Sequence, residues 1–435
     1  DLCVHLFRML ADLSYLNELP KTGEILQAMY REQCFGGKGA NQCMAAAKLG
    51  ANCALIGKLG NDMLGNIYYE YLQQMGINTD YVEQLEGMET GIAQINIDEN
   101  STCTIVELPN ANLMLNSKDV SNAKRFFNKA KVLVCQVETN HKTLICAFKK
   151  FRGVSILNVT MPPIRTELPP ELIQAPRILC TNAQGAAALT DRAEVATVQD
   201  AKEAAQALIE KGAQSVIITM GPLGAVHVAQ SKHEQCQGEV THCPAAPVRY
   251  LADTSGAGDA FVGALAYHIL RFPKLCRESH IHAANICAAY AVGHRGTQPS
   301  FPGPEIAVDD LCMIQPNFYV IPDETPEEAE QRKQKEAEAA NPKTAATPET
   351  APTPVPTIAT TPETKAEPSG GASPAPEPEQ KSAPERNSAS PVAATPEPEQ
   401  KSAPERNSAT PVAATPAPEP AATPPRESAP VAAPA

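Results

Sequence analysis

The sequence has no apolar run approaching the ~20 residues that a membrane-spanning helix needs, so no helical span is expected. It also lacks an excess of positive charge. Its 36 Lys and Arg face 49 Asp and Glu, for a formal net charge of −13 at pH 7. That balance favours neither nucleic acid nor an anionic membrane as partner. None of its 13 cysteines forms a C-x-x-C pair, and all lie between Cys3 and Cys312. An odd number of scattered cysteines in a domain of this size reads as reduced core thiols in the cytosol. His233, Cys236, His242 and Cys243 come nearest to a metal cluster, but they lie in a polar stretch without zinc spacing. No secretory leader is visible, and the chain opens on Asp1 rather than Met.

Large apolar residues all but vanish beyond Pro322. From Asp323 to Ala435 the composition is Pro, Ala, Glu, Thr and Ser, and such a segment cannot bury enough surface to offset its ordering entropy. It carries a repeat of period 20: Pro376–Thr395 recurs at Pro396–Thr415 with one change, Ser390 to Thr410. The repeat has no apolar positions that could stack into a solenoid. Residues 323–435 are therefore expected to form a disordered tail, with a short exposed helix over Glu327–Ala340 at its start.

Residues 1–322 alternate apolar runs with amphipathic stretches. The patterns predict strands at Cys53–Gly57, Thr104–Leu108, Lys131–Gln136, Ser155–Asn158, Ile178–Thr181, Ser215–Thr219 and Gly224–Ala229. They predict helices at Asn41–Leu49, Leu64–Gln74, Ser117–Asn128, Lys142–Phe151, Gln199–Lys211, Ala260–Leu270 and His280–Gly293. This alternation implies an α/β domain with a mostly parallel sheet. Ligands in such sheets sit beyond the C-terminal strand ends, where Glu138, Asn182 and Gly221 fall.

Two glycine-rich segments carry the chemistry. Asp253-Thr254-Ser255-Gly256-Ala257-Gly258-Asp259 feeds an apolar helix. A Gly-Ala-Gly turn at a helix start offers unpaired N–H groups and a dipole that suit a phosphate or a developing negative charge. Asp259 stands beside that turn. It would repel phosphate, but it can take a proton from a hydroxyl that attacks phosphorus. The alternative is a plain helix cap. Gly36-Gly37-Lys38-Gly39-Ala40-Asn41-Gln42 offers N–H groups, a cation and an amide, a set that suits a small polyol. Lys38 could otherwise be a solvated surface lysine, Glu138 a solvated strand-end charge, and Asn182 a turn cap.

With LPKTGE (Leu19–Glu24), NANLMLN (Asn110–Asn116), TMGPLG (Thr219–Gly224) and RGTQPS (Arg295–Ser300), these segments resemble the ribokinase-like, phosphofructokinase-B sugar kinase family. The resemblance covers most of residues 12–304. It implies a three-layer, doubly wound α/β domain with a small β-sheet lid, from about 13–35 and 90–108, that also pairs subunits into a homodimer. It implies ATP-dependent phosphorylation of D-ribose at the 5-hydroxyl, with Mg²⁺ and K⁺, in a cytoplasmic setting that leaves a nuclear one open. Alternatives are a ribokinase-like binding protein without turnover, or a kinase for another pentose or nucleoside. The resemblance assigns Leu10, Ala11, Asp12, Gly37, Lys38, Gly39, Ala40, Asn41 and Glu138 to the sugar. It assigns Asp259 to the base, with Gly256, Ala257 and Gly258 forming the anion hole. To the nucleotide it assigns Asn182, Thr219, Met220, Gly221, Pro222, Leu223, Gly224, Gly258, Asp259 and Asn285. To the monovalent cation it assigns Asp253, Ser255, Ala291, His294, Gly296 and Ser300.

The chain departs from the family pattern at four places. Asn182-Ala183-Gln184-Gly185 puts Gly185 where a motif glutamate tied to Mg²⁺ is usual. A Gly185→Glu substitution is expected to restore that charge if the backbone tolerates a side chain. Asn158-Val159-Thr160-Met161 replaces an Asn-Pro-Ala-Pro stretch. Phe7-Arg8 stand in place of Gly-Ser, and Asn110 in place of a loop glycine.

Overall fold

Runs of Val, Ile, Leu and Cys make strands buried on both faces, as a sheet with helices on each side requires. In the computed structural model, residues 3–6, 9–99, 103–160, 168–230, 238–306 and 316–323 are described, with 325, 327, 328 and 330–332 beyond them. They lie within one compact unit, Asp1–Ala345. The repeats and the rest of the tail lie outside the described residues, as do Phe7-Arg8, His233 and Cys236.

In chain order the strands are β1 (Cys3–Leu6), β2 (Met9–Tyr15), β3 (Tyr30–Gly36), β4 (Cys53–Gly60), β5 (Asn78–Leu85), β6 (Ile92–Ile97) and β7 (Cys103–Leu108). Then come β8 (Val132–Gln136), β9 (Val154–Val159), β10 (Ile178–Asn182), β11 (Ser215–Thr219), β12 (Ala225–Ala229), β13 (Thr241–Cys243) and β14 (Tyr319–Val320). The helices are α1 (Lys38–Lys48), α2 (Met63–Gln74), α3 (Ser117–Asn122), α4 (Lys124–Phe127), α5 (His141–Lys150), α6 (Pro170–Gln174), α7 (Ala183–Leu189), α8 (Val198–Glu210), α9 (Ala257–Arg271) and α10 (Arg277–Val292).

The main sheet has ten strands in the order β14-β13-β12-β11-β10-β9-β8-β1-β4-β5. Every neighbouring pair from β11 to β5 is parallel. The β12–β14 edge is antiparallel. The order reverses at β1, with β4 and β5 to one side and β8 to β11 on the other. Such a reversal opens a crevice beyond the strand ends. Alternate strand residues feed two cores. Leu133, Leu157, Leu179 and Ile218 pack with α3 to α8. Val134, Ile156, Cys180 and Ile217 pack with α1, α2, α9 and α10. The period of two in those apolar strands thus builds the three layers.

A second sheet runs β3-β2-β6-β7; β6 and β7 lie within the expected 90–108 segment, whereas β2 begins at Met9, ahead of the expected 13–35. Its β7 strand is exposed along its whole length. Asn110 follows it with φ 45, the left-handed region that a glycine would adopt freely and Asn tolerates.

The expected Ser117–Asn128 helix is divided at Ala123, whose ψ of 8 leaves helical geometry. The chain also stays attached beyond Pro322. The ammonium of Lys202 on α8 bonds the carbonyls of Ile321 and Pro322 and the Asp323 carboxylate. Arg332 pairs with Asp200 and Glu203 of the same helix. Residues 327, 328 and 330–332 are helical, behind a Thr325–Glu328 cap. The remainder of the expected Glu327–Ala340 helix lies outside the described residues.

Candidate functional site

The turn before α9 is built by Asp253. One of its oxygens accepts from the Ser255 amide at 2.8 Å, and the other accepts from the Gly296 amide at 2.9 Å. Gly256 follows with φ 77. A Cβ there would lie 3.0 Å from the Phe301 ring and 3.1 Å from Thr297 Cα, so backbone angle and space both call for glycine. The helix begins at Ala257. Its first-turn amides have no carbonyl partners within the helix, and that of Ala257 donates to the Thr254 carbonyl of the preceding turn at 3.3 Å. Gly258 is exposed and opens onto free space.

Asp259 sits in this first turn. Its Oδ2 accepts from Asn41 Nδ2 and its Oδ1 from Gln42 Nε2, both at 2.9 Å. Desolvation by the packed surroundings pushes its pKa up to about 6, against the pull of Asn41, Gln42 and Lys38. Both donors belong to α1, whose start is set by Gly37 at φ 84. The Asn41 carbonyl oxygen accepts from Gln298, which also bonds the Tyr68 hydroxyl. The Asn41 amide is therefore occupied in holding Asp259.

Lys38 opens α1 and forms a short ion pair with Glu138, two residues past β8. Its ammonium also lies 3.4 Å from the Thr160 carbonyl. Burial pulls the Lys38 pKa down, but Glu138 outweighs it and the net displacement is upward. Glu138 Oε2 and Thr160 Oγ1 are buried without a protein partner. A carboxylate with one oxygen on an ammonium and one unengaged suits a sugar hydroxyl. Gly39 and Ala40 lie on the buried side of α1. Asp12 is placed differently. It lies on β2 and makes a two-pronged pair with Arg31 of β3, at 2.6 and 2.5 Å. None of its hydrogen bonds reaches Lys38, Glu138 or Asp259. Ala11 is buried beside it, and Leu10 lies on the same strand in register with Phe35.

A cavity of about 320 Å³ lies beyond the ends of β9, β10 and β11, and Asn182, Thr219, Met220, Gly221 and Gly258 line it with Asn158 and Thr160. Gly224 turns the chain with φ 93, close against the Cys243 carbonyl. The Leu223 carbonyl is bonded to His242, while Pro222 lies between it and Gly221. Asn285, on α10, does not line the cavity. Its amide donates to the carbonyls of Cys243 and Pro244 and so fixes the strand that abuts Gly224. Asn182 caps α7 through the Gly185 amide at 2.8 Å. A Cβ at Gly185 would stand 2.3 Å from Thr181 Oγ1 and 2.7 Å from the Val159 carbonyl. The expectation that Gly185→Glu restores a charge is therefore corrected: the position has no room for a side chain.

Of the expected cation residues, Asp253 is joined to Ser255 and Gly296 through its carboxylate. The amides of Ala252 and Asp253 both bond the Val292 carbonyl. The Ala291 carbonyl accepts from the His294 amide, and Ser300 Oγ donates to the Thr297 carbonyl. The His294 ring stacks on Tyr290. His242 is held by Tyr319 and the Leu223 carbonyl. Among the described residues no group of three or more His, Cys, Asp or Glu could hold a metal ion.

Not anticipated from the sequence is the amide network behind Asp259. Gln42 Nε2 also bonds Asn158 Oδ1 at 2.9 Å, and Gln136 Nε2 bonds Gln42 Oε1 at 2.7 Å. Only buried glutamine in an otherwise apolar strand hinted at it, since a buried amide needs partners.

A doubly wound sheet, a helix start poised over a cavity, and a carboxylate at that start define a phosphotransferase of small molecules. Residues 7–304 match the model of the pfkB family carbohydrate kinases, and the chain belongs to that family. Mouse (Mus musculus) ribokinase is 38% identical over 67% of this chain and 88% of its own length. A deoxyribokinase of Salmonella typhi is 33% identical over 70% of this chain and 96% of its own. The structure of Arabidopsis thaliana ribokinase complexed with ribose and ATP shares the fold. It is 24% identical, with a TM-score of 0.62, and the match covers 72% of this chain and 99% of that one.

Proposed function

We propose that this sugar kinase transfers the γ-phosphoryl group of ATP to the 5-hydroxyl of D-ribose, giving ribose 5-phosphate and ADP. The observation that carries the reading is Asp259, held by two amide donors at the start of α9, next to Gly258 of the cavity lining and within electrostatic reach of Lys38 and Glu138. Lys38 and Glu138 bind the sugar hydroxyls. Asp259 takes the proton of the 5-hydroxyl as the new O–P bond forms and the β–γ bridging bond breaks. The amides of Gly256, Ala257 and Gly258 stabilise charge on the transferred phosphoryl oxygens. The nucleotide phosphates occupy the cavity by Asn182, Thr219 and Gly221. Asp12 joins β2 to β3 within the lid sheet through Arg31.

The chain furnishes no carboxylate cluster for Mg²⁺ among the described residues. K⁺ would be held at the loops around Asp253 and Gly296, which the Asp253 carboxylate ties together through the Ser255 and Gly296 amides. A cation there would supply a fixed positive charge beside the anion-binding turn. The exposed face of β7 is the surface for a homodimer, and a cytoplasmic setting suits the free thiols.

The deoxyribokinase likeness favours a second reading, in which 2-deoxyribose is the better substrate. The test is an ATP-coupled assay of the full chain against ribose, 2-deoxyribose, other pentoses and nucleosides. The highest kcat/KM is expected for ribose. Preference for 2-deoxyribose supports the second reading, and transfer to none of them overturns both.

A further inference from the structure

We infer that Gln42 is a positioning residue for Asp259: a relay of buried amides from Gln136 through Gln42 holds the Asp259 carboxyl in one orientation and stabilises its charged form. The inference rests on the reading of Asp259 as the base. Gln42 is completely buried, and both hydrogens of its amide are committed. One goes to Asn158 Oδ1 and one to Asp259 Oδ1, each at 2.9 Å, while its oxygen accepts from Gln136 at 2.7 Å. Turning the amide over would set oxygen against two oxygens, and NH₂ against NH₂. Three contacts would become repulsive at once, so the network admits one orientation. Asn158 is fixed in turn, because its Nδ2 donates to the Cys180 carbonyl of β10 at 3.2 Å. The aim of Asp259 is thereby anchored to the backbone of the central sheet.

The residue type matters. A neutral donor stabilises the carboxylate without adding a cation beside the site of phosphoryl transfer. The charged groups facing Asp259 are Lys38 of α1 and Glu138 beyond β8, which act in opposite directions. Asn41 holds the other carboxyl oxygen. Loss of the Gln42 donor therefore raises the Asp259 pKa and loosens its aim, while Lys38 and Glu138 remain in place for the sugar.

Two variants of the full chain test this. Gln42→Met removes the donor, and Gln136→Met removes only its anchor. For Gln42→Met, kcat is expected to fall about 10–100-fold, with the sugar KM within about threefold. The acid limb of kcat/KM should move up by about one pH unit, the scale of one hydrogen bond to a charged group. Gln136→Met should shift both in the same direction by less. If Gln42→Met does not fold, Gln136→Met carries the test. The titration of the Asp259 carboxyl, read by infrared difference between each protein and its Asp259→Asn counterpart, needs no turnover and should show the same upward shift. An unmoved titration and acid limb, or a loss confined to KM, overturns the relay. If Asp259→Asn itself keeps full turnover, the reading of the base falls. If Asp259→Asn is inactive while Gln42→Met keeps its acid limb, only the relay falls.

Discussion

Asp259 is pulled in two directions by its surroundings. Desolvation pushes its pKa up to about 6, while two amide donors and Lys38 restrain the rise. A carboxylate in that range is mostly ionised at pH 7, yet more basic than an exposed aspartate. As pH falls through about 6 the base takes up a proton, so kcat/KM should fall about tenfold per pH unit below it. A profile flat to pH 5 would contradict the assignment. At Gly185 the constraint is steric. A Cβ would meet Thr181 Oγ1 at 2.3 Å, and that hydroxyl already donates to the Val159 carbonyl at 2.6 Å. Gly185→Ala and Gly185→Glu should each cost about 1–3 kcal/mol of stability, read as a lower Tm. Neither should raise activity at low Mg²⁺, and a gain there in Gly185→Glu would refute this. The glycine motifs, Lys38, Glu138 and Asp259 were legible in the sequence because their chemistry needs those types at that spacing. Gln136, Asn158 and Gln298 were not, because a lone amide gives no sign of which distant partner it will meet.

Among the elements, β8 to β12 were legible as apolar runs. The lid strands β2, β3 and β6 were legible only through the family resemblance, because half-exposed strands leave no continuous apolar run. Helix α7 escaped notice because it starts directly at the end of β10 and is too short to show a period. Helix α10 is tied to the sheet by a buried pair. Glu278 accepts from His227 at 2.9 Å and from Thr241, and His227 meets Ser215 at 3.1 Å. Ser, His and Glu in this order resemble a hydrolytic triad, but all three are sealed from solvent. Burial alone would raise the Glu278 pKa; the His227 contact outweighs it and holds it low. The stabilisation is present above the ordinary glutamate range and is lost as pH falls through the depressed pKa. Glu278→Ala should cost about 3 kcal/mol, measured by denaturant unfolding at pH 7, and an unchanged midpoint would contradict the tie. The turn before α9 gives a separate expectation. If K⁺ binds at the proposed loops, replacing Na⁺ by K⁺ at constant ionic strength should raise kcat with little change in sugar KM, because the ion would act on the turn and not on the sugar. Equal rates in the two salts would remove the cation from the account.

In the whole molecule, the composition break at Pro322 does not coincide with the end of packing. Lys202 is almost fully buried, and its partners are Ile321, Pro322 and Asp323. Composition could not reveal this, because the contacts use main-chain carbonyls, which every sequence carries. Truncation after residue 315 should strand the Lys202 ammonium and lower Tm by about 5 °C. Truncation after Ala345 should leave Tm unchanged, and a large drop there would mean that the repeats stabilise the kinase unit. The central claim is that Asp259 is the base of an ATP-dependent sugar kinase. It is tested most directly by single-turnover transfer of phosphate from ATP to ribose, in the wild type and in Asp259→Asn. The substitution keeps the shape and the helix-start geometry. Wild type should form ribose 5-phosphate, and Asp259→Asn should bind ribose but transfer about 10²–10⁴-fold more slowly. Equal transfer rates in the two proteins, with ribose binding intact, would contradict it.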